Sequence, residues 1–407
     1  MNIRKNWYII ATVAVCVAVL AVFALATGFF TRSTTDGMLK VGFVYSEDAS
    51  TPYTYNFMLG ERALKEAFGS KVTVLSETNV NAAGAEEPIR ELVRKGCRII
   101  FINLDAPIVP TLAAEYPAVQ FCQISMPDIG IEGYTENYHT FNGELYQARY
   151  AAGVIAGAKL QNMIDEKQIT KEEAKVGYVA ANHTPEVVSG YTAFLMGIRS
   201  IAPDVVLRVR ETGAWSNYTR EKAVTRDLIN EGCIIIAQHT NTMAPSIACE
   251  EAAAAGIRVY HIGYHQSMLD ISPNTALAAI RTNWAPYMIS ATEAVMKHES
   301  IEKNVAGHLH GNDISAGFDQ DWVQVLDLNS YLAAPGTEDK LNRAIDGLKK
   351  GRIAVFKGNY TGKTPIDREH PEIPPKTIDL SAEFRENADS SLPSFGYILD
   401  DVIVIEN

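Results

Sequence analysis

Four histidines, His183, His239, His261 and His265, fall where apolar runs give way to loops. An imidazole in such a place can serve as a general base, a metal ligand or a neutral hydrogen-bonding group. Nucleophilic catalysis needs a Ser or Cys held on a strained elbow, and no GxSxG occurs in the chain. Metal binding fares no better. The "HLH" at 308–310 puts two imidazoles on one face of a strand without a third ligand nearby, which reads as a solvated strand end. "SEDAS" at 46–50 carries only Glu47 and Asp48 where a calcium-dependent nucleoside hydrolase would need several Asp in one loop. "GNYTGKT", starting at Gly358, has three residues between its glycines where a phosphate loop needs four, and it runs into prolines instead of a helix. Cys16, Cys97, Cys122, Cys233 and Cys249 form no CxxC and read as unpaired thiols, with Cys97, Cys122 and Cys233 in or beside apolar runs. "NYT" at Asn217 and Asn359 matters only in a eukaryotic secretory route, for which nothing else argues. Neutral hydrogen bonds lining a cleft are therefore favoured over catalysis for the histidines, and no cofactor or metal is expected.

The elements that hold these groups are written twice. "KVGFVY" at Lys40 returns as "KVGYVA" at Lys175, "FMLGER" at Phe57 as "FLMGIR" at Phe194, and "GCRII" at Gly96 as "GCIII" at Gly232. Each half has the same periods. A strand (41–45; 176–180) leads to a helix, a second strand (72–76; 205–210), a second helix, a third strand (98–103; 234–238), an alanine-rich helix and a fourth strand (118–124; 257–263). Strands alternating with helices of this length make right-handed βαβ units on a parallel sheet. A chain of 407 residues exceeds one core of usual size. The expected architecture is α/β, two Rossmann-like lobes with parallel sheets joined by a hinge. The lobes are assigned to residues 39–150 with about 280–312, and to residues 151–279 with about 313–407.

In open α/β sheets ligands bind beyond the carboxyl ends of the strands. The loops placed there are 46–55, 103–107, 181–185, 213–218 and 239–244, rich in aromatic, amide and hydroxyl side chains. Tyr53 and Tyr55 come from one half and Trp215 from the other, so aromatic faces on opposite walls are available to stack on a planar heterocycle. From these loops Asn103, Asp105, Asn241 and the neighbouring His265 join the candidate set.

"YTYNFMLGERAL", "LYQARYAAGVIAG", "KVGYVAANHTPEVVSGYTAFLMGIRSIAP", "GAWSNYTREK", "IIAQHTNTMAP", "HIGYHQSM" and "TNWAPY" together resemble the basic membrane protein family, over about residues 40–295. These are substrate-binding proteins of ABC importers and include purine nucleoside receptors. The resemblance implies a type I periplasmic-binding fold, no catalysis, and a purine nucleoside or base in the cleft. Tyr53 stands at a stacking position, Trp215 matches a family aromatic, and His239, Thr240, Tyr264 and Trp284 stand at matching positions. Relatives often carry an acid where this chain has Asn241 and another where it has Ser267. A carboxylate can accept two charge-assisted bonds from a ribose diol or a base. Without those two acids, a bare base such as adenine competes with a nucleoside as the ligand.

The leader and the charge set the setting. Arg4 and Lys5 precede an apolar run with no charge from 6 to 31, long enough at about 1.5 Å per residue to cross a hydrocarbon layer of about 30 Å. Residues 1–31 are read as a membrane anchor, or as a signal peptide cut after "ALA", with 32–38 a polar linker and the body on the extracytoplasmic side. The protein is thus expected at the cell membrane, or secreted if the leader is cleaved. Cys16, behind Val15, lacks the surroundings of a lipidation site. A net charge of -12 argues against nucleic acid or an anionic membrane face as a partner of the folded part. The partners expected are a small molecule and an ABC permease. A membrane-anchored sensor of the same fold is the alternative, and an extracytoplasmic nucleoside hydrolase a distant third. In the tail, 337–356 reads as a helix and a strand, 357–392 as extended loop, and "GYILDDVIVIEN" as an edge strand.

Overall fold

The structure is a computed structural model and describes residues 38–124, 135–366 and 372–406. The apolar leader lies outside the described residues. Among these residues no helix is long and apolar enough to cross a membrane. Along the chain the first half gives β1 (Leu39–Val44), α1 (Pro52–Phe68), β2 (Val72–Glu77), α2 (Glu86–Arg94), β3 (Ile99–Ile102), α3 (Val109–Glu115), β4 (Gln120–Ile124) and β5 (Tyr138–Gly143). The second half repeats the plan after a crossing helix. It comprises α4 (Leu145–Asp165), β6 (Lys175–Ala180), α5 (Pro185–Arg199), β7 (Leu207–Glu211), α6 (Tyr218–Asn230), β8 (Cys233–His239), α7 (Ala244–Ala254), β9 (Tyr260–Tyr264) and β10 (Ala276–Thr282). Then follow α8 (Ala285–Lys297), α9 (Ile301–Asn304), β11 (His308–His310), β12 (Asp313–Ala316), β13 (Val323–Leu326) and α10 (Thr337–Lys349), and the tail adds β14 (Thr361–Lys363), β15 (Thr377–Asp379), β16 (Ile398–Leu399) and β17 (Ile403–Glu406).

Two seven-stranded sheets result, ordered β11-β12-β5-β4-β3-β1-β2 and β13-β10-β9-β8-β6-β7-β17. The four strands written twice, with β5 and β10 beside them, occupy the same order in both, and each lobe has Rossmann-like helical layers on a sheet that is parallel apart from one edge strand, β11 in the first and β13 in the second. The repeated "GC" has a structural cause. Gly96 and Gly232 take φ of 89° and 87°, a left-handed turn that ends α2 and α6 and starts the next strand. In the first lobe Phe57, Phe141, Tyr287 and Trp322 fill one face of the sheet and Ile89, Leu92 and Leu112 the other. In the second, α4 and α5 cover one face so closely that a Cβ on Gly153 would lie 2.1 Å from the Phe194 carbonyl, while α6 and α7 cover the other.

Three crossings join the lobes and meet at one point. The chain leaves the first sheet at Gly143, returns from β10 through Asn283 to α8, and crosses again between β12 and β13. A Cβ on Gly143 would sit 2.6 Å from Thr282 Cγ2 and 3.3 Å from the Trp322 carbonyl, and Asn283 N donates to that carbonyl at 2.7 Å. Sequence reading and structure part at two boundaries. β12 pairs with β5, so residues 313–316 belong to the first sheet and not the second, and β10 keeps 280–282 in the second sheet. A third departure is the strand expected at 353–356, of which only a bridge from Phe356 to Phe384 forms. The Phe356 ring stacks on Phe395 at 4.3 Å, and this aromatic packing organises the segment.

The tail is more built than an extended loop. β14 pairs with β15 and β16 in a small antiparallel sheet, and β17 adds a parallel edge strand beside β7. Between them Phe384, Phe395 and Tyr397 pack into the second-lobe core, while Ser391 N donates to Asp313 Oδ2 at 2.6 Å on β12 of the first sheet. The tail therefore straps one lobe to the other. Internal bonds brace it. Asn387 Nδ2 donates to the carbonyls of Ser390, Ser391 and Leu392, and the Glu386 carboxylate accepts from Ser394 N and Oγ and Phe395 N.

Candidate ligand-binding site

Between the lobes, at the carboxyl ends of both sets of strands, lies a cavity of about 640 Å³. That is within the range of roughly 300–1,000 Å³ usual for small-molecule sites. Tyr53 enters from the start of α1, where its hydroxyl donates to the Asn103 carbonyl at 2.7 Å. Asn103, at the end of β3, is 1 % exposed and accepts from Ser46 N through Oδ1, which leaves Nδ2 without a partner among the described residues. Asp105 lines the same side, and Trp284 at the α8 crossing contributes an indole N–H that also has no partner.

The second lobe supplies an aromatic cluster. Trp215 packs against His239 with centroids 5.7 Å apart, His239 meets Tyr264 edge-on at 5.1 Å, and Tyr264 stacks on His265 at 3.5 Å. His265 then touches Tyr53 across the cleft at 5.4 Å. Its backbone is left-handed, φ 71°, a conformation that costs a non-glycine residue about 1 kcal/mol or more. Two bonds hold it there, His265 N to the Ile280 carbonyl at 2.8 Å and Nε2 to Asn241 Oδ1 at 3.0 Å. Asn241 N in turn donates to the Trp215 carbonyl at 2.7 Å. Glu221, fully buried on α6, accepts from Thr242 Oγ1 and Asn217 N and so fixes both loops beneath Trp215.

Electrostatics make the wall neutral at the imidazoles. Burial, reinforced by the nearby Arg149 guanidinium, holds His239 and His265 well below the usual histidine range. Arg149 is itself 1 % exposed. It donates from Nη1 to the Gln238 carbonyl at 2.7 Å and lies over the Tyr264 ring at 4.2 Å, a cation held by a ring face and a carbonyl. Burial pushes the Tyr53 hydroxyl up and the Glu186 carboxyl up to about 7, with Arg149 pulling Glu186 partly back. Neutral imidazoles suit hydrogen bonding. Among the described residues no group of three His, Cys, Asp or Glu could hold a metal ion.

Nine of the residues singled out in the sequence meet in this wall: Tyr53, Asn103, Asp105, Trp215, His239, Asn241, Tyr264, His265 and Trp284. Two do not. Tyr55, two positions along α1, faces away and carries the Arg62 guanidinium over its ring at 5.1 Å. Thr240 is fully buried behind the wall, where its carbonyl accepts from Gln238 Nε2 at 3.0 Å. His183 and His261 also lie off the cavity. His261 bonds Gln238 Oε1 at 3.1 Å, and His183 approaches Glu211 at 3.3 Å. Ser267 is likewise outside it. Sequence reading missed Glu186 in the wall, Arg149 behind Tyr264, and the strap residues Glu386, Asn387 and Pro393. The first stands in "TPEVV", which reads as a helix start, and the second within "LYQARYAAG", which reads as a buried helix.

Residues 38–345 match the family described as ABC transporter substrate-binding protein PnrA-like. The chain belongs to that family. It is a family of binding proteins, not of enzymes, and it fits the two-lobed fold and a small molecule as ligand. A purine-binding protein of Brucella abortus (strain 2308) is 31 % identical over 273 residues, 66 % of this chain and 71 % of that one. A protein of Haloferax volcanii named for ABC transporter glucose binding is 31 % identical over 152 residues, 37 % of this chain and 35 % of its own. Among solved structures, an ABC transporter solute-binding protein from Aeropyrum pernix K1 superposes with a TM-score of 0.59 at 18 % identity, covering 82 % of this chain and 95 % of that chain. That likeness is one of fold. The strap lies beyond the part of the chain that matches the family.

Proposed function

We propose that this protein binds a purine nucleoside or purine base between its lobes and presents it to an ABC importer. On this reading residues 1–31 tether it to the membrane with the two-lobed body on the extracytoplasmic side. The observation that carries the ligand assignment is the aromatic cluster of Trp215, Tyr264 and Tyr53 around a cavity that also offers unpartnered buried donors, Asn103 Nδ2 and Trp284 Nε1. Flat aromatic walls suit a planar heterocycle, and a donor surplus suits its ring nitrogens. The Brucella relative, named for purine binding, supports the same class.

Binding works by closure. Ligand held on one lobe completes its contacts only when the other swings in about the three crossings, so the closed form is the one it populates. A thermal-shift screen of the folded chain against adenine, adenosine, inosine, guanosine, D-glucose and amino acids tests the ligand class. A ligand at 100 times its dissociation constant adds about 2.7 kcal/mol to the folded state, enough to move the melt by degrees. A shift from a purine supports the reading. Silence from every purine with a shift from glucose, the ligand named for the Haloferax relative, would replace purine with sugar.

A further inference from the structure

Glu186 is the second residue of α5 and extends its carboxyl, a third exposed, into the cavity. It makes no hydrogen bond to a described residue, and its nearest basic atom is His239 Nε2 at 3.8 Å. The groups that face it come from five elements: Arg149 on α4, Tyr178 on β6, His239 on β8, Tyr264 on β9 and, from across the cleft, Tyr53 on α1. Of these only Arg149 is charged, and it is engaged by the Gln238 carbonyl and the Tyr264 ring. Three further acids line the cavity, Asp105 just beyond the end of β3 among them. Glu47 lies on the Tyr53 side, and Glu386 already accepts three bonds within the strap.

A carboxylate without a donor in a closing cavity is costly, and protonation removes the cost. The carboxyl is pushed up to about 7 before any ligand enters, and a neutral ligand that displaces water pushes it further. In the acid form Glu186 offers an O–H donor beside a C=O acceptor. The ligand edge that pairs with both is a ring-nitrogen lone pair next to an amino group. Adenine presents it at N1 and its 6-amino group, whereas the N1 edge of guanine has two adjacent N–H groups that would put a donor against the O–H, and the guanine edge with the matching pattern, N3 and the 2-amino group, lies beside N9, where a ribose attaches. The first-lobe wall agrees, since Asn103 Nδ2 and Trp284 Nε1 are donors in want of acceptors, which further ring nitrogens supply.

We propose that Glu186 reads the base edge as a neutral acid and selects purines of the adenine type over those of the guanine type. This rests on the purine reading of the cleft. Binding then takes up one proton whenever free Glu186 is ionised.

The test is calorimetric titration of the full chain with adenine and with guanine from about pH 6 to about pH 9, in wild type, Glu186→Gln and Glu186→Ala. Wild-type affinity for adenine should fall about tenfold per pH unit above about 7, because the proton must be supplied from solution. Glu186→Gln, whose amide keeps a donor beside an acceptor, should remove that slope. Glu186→Ala should weaken adenine by about tenfold or more at every pH. A flat wild-type profile, a slope shared by wild type and Glu186→Gln, or tighter binding of guanine at about pH 6 overturns the assignment while leaving a purine receptor. If no purine binds and another class does, the functional reading and this assignment fall together.

Discussion

Burial alone pushes the His261 imidazole down to about 3, and its Nε2 is held by Gln238 Oε1 within the second lobe. A histidine whose folded pKa lies below its unfolded value of 6.5 contributes stability above 6.5, and that contribution is lost as pH falls from 6.5 toward 3 because the unfolded chain takes up the proton first. Each pH unit in that window costs up to about 1.4 kcal/mol. Replacing His261 with Gln should therefore flatten the acid limb of a plot of melting temperature against pH, and an unchanged limb would mean that His261 is not what acid attacks. At this scale the sequence was legible where a residue type and a strand end coincide, as for Asn103, His239 and Tyr264. It was silent on Glu186, which reads as part of a helix start, and on Arg149, which reads as part of a buried helix, because what such a side chain meets is known only from the packing. Tyr55 failed for a simpler reason. A helix that aims Tyr53 at the cleft must turn Tyr55 away.

At the scale of elements, the first four strands of each lobe were readable because the repeated blocks fall on strands and turns that the fold needs twice, while the fifth, β5 and β10, lies outside those blocks. Gly96 and Gly232 are needed for the same left-handed turn, and the apolar runs for the same buried strands. The tail resisted reading because its organisation is aromatic and long-range. Phe356, Phe384, Phe395 and Tyr397 carry no period, and β14 to β16 are too short to stand out among prolines. Yet this segment closes a wall of the cavity, and its link to the first lobe is the bond from Ser391 N to Asp313 Oδ2. Asp313, 3 % exposed, also accepts from Thr140 Oγ1. Asp313→Ala removes both bonds, and losing such buried acceptors costs about 1–3 kcal/mol. The expected outcome is a lower melting temperature together with a several-fold faster ligand dissociation rate in stopped-flow measurement. A variant that melts early but releases ligand at the wild-type rate would show the strap to be structural only.

For the whole molecule, the two-lobed plan followed from repetition, while the crossings did not, since no local pattern tells which lobe a strand such as β12 joins. Their convergence at Gly143, Thr282 and Trp322 gives the lobes one compact pivot, with the cavity immediately beside it and Tyr53 already touching His265 across it. On the proposed closure, small rotations there would open or shut the cleft, so affinity and closure would be the same event. The proposed function puts a purine in this cleft against Trp215. It is tested most directly by calorimetric titration of adenine, adenosine and inosine into the wild-type chain and into Trp215→Ala. A purine should bind the wild type, and loss of the indole should weaken it by about 1–3 kcal/mol, roughly 5- to 150-fold. Equal affinity in both proteins, or no heat from any purine, would contradict the claim.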